Sequence, residues 1–102
     1  MRQFDVFENP VSEARRFAPY VVLLSSHLVP RLEDVIVAPL VNDASHQLGE
    51  LELAVDIETE RLTLVISELS TLRARELRRR VRSLRNQEFE IRRALDRLFT
   101  GF

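Results

Sequence analysis

The chain of 102 residues is 45% hydrophobic and 30% charged, with a net charge of −1, no cysteine and no lysine. That length supports one domain with one modest core, burying about 60–70% of the surface its unfolded form exposes. The composition excludes a disordered chain, a disulfide scaffold and a cysteine-ligated metal site, and the longest apolar runs, such as "YVVLL", are too short to cross a bilayer. The acidic start "MRQFDVFEN" lacks the apolar core of a signal peptide, so a cytoplasmic location is expected.

In chain order, "RQFDVF" sets Phe4 and Val6 against Gln3, Asp5 and Phe7, the period of a strand with one buried face. The polar stretch from Glu8 to Pro19 reads as a long loop or a short helical turn. "YVVLLSS" is a nearly continuous aliphatic run, the pattern of a central strand covered on both faces. Pro30 then bends the chain and leaves Leu28 and Val29 as candidate exposed apolar residues. "VIVAPL" resumes a strand, expected to end at Pro39, and a polar loop runs from Val41 to Glu50.

"ELELAVDI" and "RLTLVIS" alternate cleanly around a short "ETE" turn and predict an antiparallel hairpin, although no glycine supports the turn. From Leu69 to Leu84 the apolar spacing of three to five admits either a helix or a strand, a turn and an approach to a helix; both stay open. The final segment is clearer. Ile91, Leu95, Leu98 and Phe102 fall at i, i+4, i+7 and i+11, with Ala94 beside them, which predicts an α-helix. Ser83 and Asn86 are its candidate N-caps, Glu88 is placed to pair with Arg92, and Gly101 is the residue suited to leave helical geometry. The expected architecture is one α+β domain over residues 1–102, a small antiparallel barrel or sheet with a C-terminal helix packed against it.

Catalytic chemistry finds little footing. The only glycines are Gly49 and Gly101, which excludes a glycine-rich phosphate loop, and His27 and His46 have neither metal-ligand spacing nor a suggestive neighbour. No cofactor, metal or catalytic residue is assigned. Charge carries more information. Residues 1–60 hold eleven acidic side chains against four arginines, and residues 61–102 hold eleven arginines against five acids. Arg73, Arg75, Arg78, Arg79, Arg80, Arg82 and Arg85 form the densest cluster. Two readings stand side by side: a patch for an anionic partner, or a solvated face neutralised by the acidic first half of the molecule. At the helix end, Phe99 lies off the apolar stripe, so Phe99, Gly101 and Phe102 are read as part of an interface.

The segments "QFDVFEN", "RRFAPYVVLLSSHLV", "VIVAPL", "LELAVDIETERLTLVIS" and "ALDRLFTGF", in this order and spacing, resemble the CcdB family of toxins across essentially the whole chain. The resemblance implies an SH3-like barrel sheet with a C-terminal helix, a two-fold homodimer and no enzymatic activity. It also implies a toxin that binds the DNA gyrase A subunit, traps the cleaved-DNA complex and is neutralised by a cognate antitoxin with a disordered C-terminal tail. Operator DNA would be bound only through the antitoxin complex, and no membrane is involved. By position, the target-binding residues would be Leu28, Val29, Asp96, Phe99, Thr100, Gly101 and Phe102. This chain carries Thr100 where the family has a tryptophan that stacks on a gyrase arginine, and Asp96 where the family has an asparagine. Two alternatives stay open: a degenerate member that keeps fold, dimer and antitoxin binding but has lost gyrase poisoning, and a MazF-type endoribonuclease toxin on the same fold.

Overall fold

The computed structural model describes residues 1–26, 33–42 and 48–101. Seven strands are seen among these residues: β1 (Asp5–Glu8), β2 (Tyr20–Leu23), β3 (Asp34–Val41), β4 (Glu52–Ile57), β5 (Glu60–Val65), β6 (Ser70–Arg73) and β7 (Arg80–Ser83), followed by the helix α1 (Glu88–Thr100). All pairings are antiparallel, in the order β4-β5-β3-β2-β1-β7, with β6 also paired to β3. The sheet curls into a half-barrel, as the sequence predicts.

Strand β3 is the pivot. One edge pairs with β2, from Tyr20 opposite Leu40 to Leu23 opposite Val37. Its other edge is divided between β5, with Leu64 opposite Leu40, and β6, with Ser70 opposite Val37. Three steps along β3 therefore face six steps from Leu64 to Ser70, and the surplus bulges out and turns the sheet. Pro39 sits in that interruption and does not end the strand, which runs on to Val41. The N–H of Leu24 donates to the Ile36 carbonyl, and alternation along this ladder turns the nitrogen of Pro39 away from β2, toward the gap between β6 and β5. A missing N–H costs nothing where no partner strand stands opposite.

The curled sheet has apolar clusters on both faces. Phe4, Val6, Val22, Leu40, Val55, Ile57, Leu64 and Leu84 fill the concave side together with Ile91 and Ala94 of α1. Phe7, Val21, Leu23, Val35 and Val37 form a second cluster under Leu77, with Leu72 and Ala74 at its edge. The two-sided burial expected for β2 is present. It extends to β1, where the sequence suggests a single buried face: Phe4 and Val6 enter one cluster and Phe7 the other, while Asp5 is also buried. The reason is the segment between β6 and β7, a short 3-10 turn (Ala74–Glu76) leading to Leu77, which lies over the face that alternation alone leaves to solvent.

The loop before β2 contains another 3-10 turn (Ser12–Ala14) and is clamped by Asn9. The buried Asn9 side chain donates to the Ala18 carbonyl at 2.9 Å and accepts the Val11 N–H at 3.0 Å, while its backbone N–H donates to the Pro19 carbonyl at 3.0 Å. The predicted β4–β5 hairpin forms with Ile57 opposite Glu60. With no glycine at hand, Glu58 takes the left-handed backbone conformation (φ 55°) that the tight turn requires.

The ambiguous stretch from Leu69 to Leu84 resolves into β6, the 3-10 turn and β7. The helix then starts from a third 3-10 turn (Arg85–Gln87). Neither Ser83 nor Asn86 caps it: the N-cap is Gln87, without a side-chain cap bond, and the Ser83 hydroxyl accepts the Arg85 N–H at 3.1 Å, two residues on. Glu88 and Arg92 pair at 3.0 Å as expected for one turn of separation. Ile91 and Ala94 are fully buried, and Leu95 and Leu98 are half-buried against the same core, so the inner face is the predicted stripe of Ile91, Leu95 and Leu98 with Ala94 beside it.

Candidate functional site

Helix α1 presents two faces. The face of Ile91, Ala94, Leu95 and Leu98 packs into the concave core, and on the opposite side Phe89, Arg93, Asp96 and Thr100 recur at i, i+4, i+7 and i+11. Phe99 and Arg92 flank this outer line. Phe89 is 87% exposed and Phe99 70%. Phe89, Glu90, Arg92, Arg93 and Asp96 line an open groove at the helix surface.

Of the residues assigned to target binding, Asp96, Phe99, Thr100 and Gly101 lie together on the exposed last turn of α1 and just past it. Leu28, Val29 and Phe102 lie outside the described residues, as do His27 and His46. Gly101 ends the helix in the left-handed conformation (φ 79°), and its N–H donates to the Arg97 carbonyl at 3.0 Å. The Thr100 hydroxyl donates back to the Asp96 carbonyl at 2.6 Å. Its polar group is thus satisfied within the helix, and the residue offers a small apolar surface outward. Arg97 reaches sideways to Glu50 at 2.7 Å and ties the helix end to the segment leading into β4. Phe89 is the surface residue that sequence reasoning passes over. Its signal is geometric, since it falls opposite the buried stripe, where a phenyl ring has no place in the core.

The arginines of the cluster differ in their contacts within the molecule. Arg80 pairs with the buried carboxylate of Asp5 at 3.2 Å, and Asp5 also accepts the Arg2 N–H at 2.9 Å. Arg79 pairs with Glu8 at 3.2 Å, beside Arg15 at 3.3 Å from the same carboxylate. Arg82 donates to the Asp56 carbonyl at 2.9 Å. Arg73, Arg75, Arg78 and Arg85 form no ion pair among the described residues, and Arg78 lines a groove with Arg15, Arg79, Glu8, Glu76 and Pro10. Arg79 and Arg80 thus find partners in the acidic first half of the chain. Arg82 has a structural task that neither reading anticipates.

Among the described residues no group of three or more histidine, aspartate or glutamate side chains is placed to hold a metal ion. No helix among them is long and apolar enough to cross a membrane. One perturbed ionisation stands out at Tyr20 on β2, where burial first, then the charges of Glu60, Glu58 and Glu8, hold the phenol above its ordinary value.

Solved structures share this architecture. The chain is similar to an endoribonuclease in complex with its cognate antitoxin from Mycobacterial species, with TM-score 0.76, 14% identity, and 96% of this chain and 93% of that one covered. It is similar also to an endoribonuclease from Mycobacterial species (TM-score 0.72, 12% identity, 96% and 89% covered). A third is the Mycobacterium tuberculosis toxin MazF-mt6 (TM-score 0.68, 24% identity, 78% and 84% covered). At these identities the likeness is one of fold. No curated protein matches the chain. The family model described as CcdB protein matches residues 3–101, and with every described strand of the half-barrel and the whole of α1 inside that match, the chain belongs to the CcdB family.

Proposed function

We propose that the protein is the toxin of a toxin-antitoxin pair and that it acts without covalent chemistry, by docking the exposed end of α1 on the gyrase A subunit. Membership of the CcdB family over residues 3–101 carries this reading. The placement of Asp96, Phe99, Thr100 and Gly101 on one exposed helix end supports it, because a rigid helix presents side chains to a partner at low entropic cost. The protein works as a homodimer in the cytoplasm, is neutralised by an antitoxin, and reaches operator DNA only in complex with it. The antitoxin partner gains support from the similar fold recorded with a cognate antitoxin.

An endoribonuclease is the competing reading, because two similar structures are endoribonucleases. Against it, Arg79, Arg80 and Arg82 are already engaged within the molecule, which reduces the cationic surface free for RNA. Inducing the chain in a sensitive bacterium is expected to produce gyrase-linked double-strand breaks, and the purified protein is expected to leave total RNA intact. Growth arrest with intact DNA and cleaved RNA would replace the gyrase reading with the nuclease one; normal growth with intact DNA and RNA would mark a degenerate member.

A further inference from the structure

We propose that Phe89 is an aromatic anchor of the partner-binding face, so that the face runs along the whole outer side of α1 and is not confined to its last turn. This rests on the gyrase reading above and names a residue that the reading does not include. Phe89 and Thr100 stand at the two ends of one outward line that passes through Arg93 and Asp96. Eleven residues of helix separate them, about 16 Å of rigid surface. The candidate contact residues Asp96 and Thr100 thus share a continuous face with Phe89.

A single exposed phenyl ring is ordinary on a protein surface. Here the ring is the most exposed large apolar side chain of the described residues, at 87%, and charged groups of both signs surround it. Glu90, Arg92, Arg93 and Asp96 line the groove beside it. An apolar centre inside a polar rim is the anatomy of a protein-protein contact. The two acids in that rim disfavour RNA or an anionic lipid surface, where uniform positive charge is needed. Because Phe89 makes no contribution to the core, while Ile91 and Ala94 hold the helix in place, its contact role separates from its folding role.

The test compares wild type, Phe89→Ala and Phe89→Trp in three measurements: binding to purified gyrase holoenzyme, thermal unfolding and oligomeric state. Phe89→Ala is expected to weaken gyrase binding at least about tenfold, and toward thirtyfold if the ring is a central anchor, with melting temperature and oligomeric state unchanged. Phe89→Trp is expected to retain binding. If wild type binds gyrase and Phe89→Ala binds equally well, the proposal falls while the gyrase reading survives. Loss of oligomerisation in Phe89→Ala would overturn it by assigning the face to a second copy of this chain. Absence of gyrase binding by the wild type would remove the gyrase reading itself, and this proposal with it.

Discussion

Arg82 on β7 donates from its guanidinium to the backbone carbonyl of Asp56 on β4, 2.9 Å away, so that the two end strands of the curled sheet meet through a side chain. Gln87 repeats the device one step along, its side-chain amide donating to the Ala54 carbonyl at 3.2 Å. Carbonyls two residues apart on a strand point to the same side, so both belong to the edge of β4 that β5 leaves open. Side-chain donors satisfy that edge and deny it to another strand. Replacing Arg82 with Met is expected to cost about 1 kcal/mol, and the Arg82→Met, Gln87→Met double variant more than either single change. Urea unfolding measures both; a double variant as stable as wild type would show that the seam contributes nothing.

The arginines of the cluster are expected to separate by stability. Arg80→Ala leaves the buried Asp5 carboxylate with only the Arg2 N–H, and should cost about 1–3 kcal/mol. Arg78→Ala, at an exposed side chain with no ion pair among the described residues, should stay within about 0.5 kcal/mol. Equal losses in chemical denaturation would contradict the division of the cluster drawn from the geometry.

Gly101 offers a test confined to backbone conformation. A Cβ there would meet no atom within 4 Å, so Gly101→Ala introduces only the strain of a left-handed alanine. That strain is about 1 kcal/mol. The residue-101 amide, bonded to the Arg97 carbonyl, is expected to exchange with solvent about fivefold faster in the variant. Unchanged exchange would mean that the helix end holds without the left-handed cap.

Tyr20 makes stability depend on pH in the alkaline range. Its folded phenol ionises above the ordinary value of 10.0, because burial and the neighbouring Glu60, Glu58 and Glu8 disfavour the phenolate. A raised folded value means that the unfolded chain loses its proton first. The associated stability is present in full below about pH 10 and disappears as pH rises through the folded value. With one tyrosine, no lysine and no cysteine in the chain, the phenolate absorbance reports this group alone. Tyr20→Phe is expected to flatten the loss of melting temperature above pH 10; an identical slope in both proteins would refute the linkage.

Periodicity made much of this molecule legible. The alternation in "ELELAVDI" and "RLTLVIS" gave the hairpin, and the spacing of Ile91, Leu95 and Leu98 gave the helix, because burial on one face writes the period of the element into the chain. Where two faces are buried, the period disappears. Phe7 reads as a solvent-side residue until Leu77, seventy positions later, covers it. Pro39 reads as a strand end until the split pairing of β3 supplies a place where its missing N–H is harmless. Asp96, Phe99, Thr100 and Gly101 were legible as a group because they share one helix end, whereas Phe89 becomes conspicuous only when the core shows which side of the helix faces out.

The sequence by itself determined the α+β class, the antiparallel hairpin and the C-terminal helix, since each depends on neighbours within a few turns of chain, and the order and spacing of its segments carried the resemblance to one family. Only the tertiary structure decided which arginines remain free, because a guanidinium is engaged or available according to acids and carbonyls that folding brings beside it from distant parts of the chain. The same holds for the outer line of α1: which face of a helix meets solvent is settled by the sheet against which the other face packs.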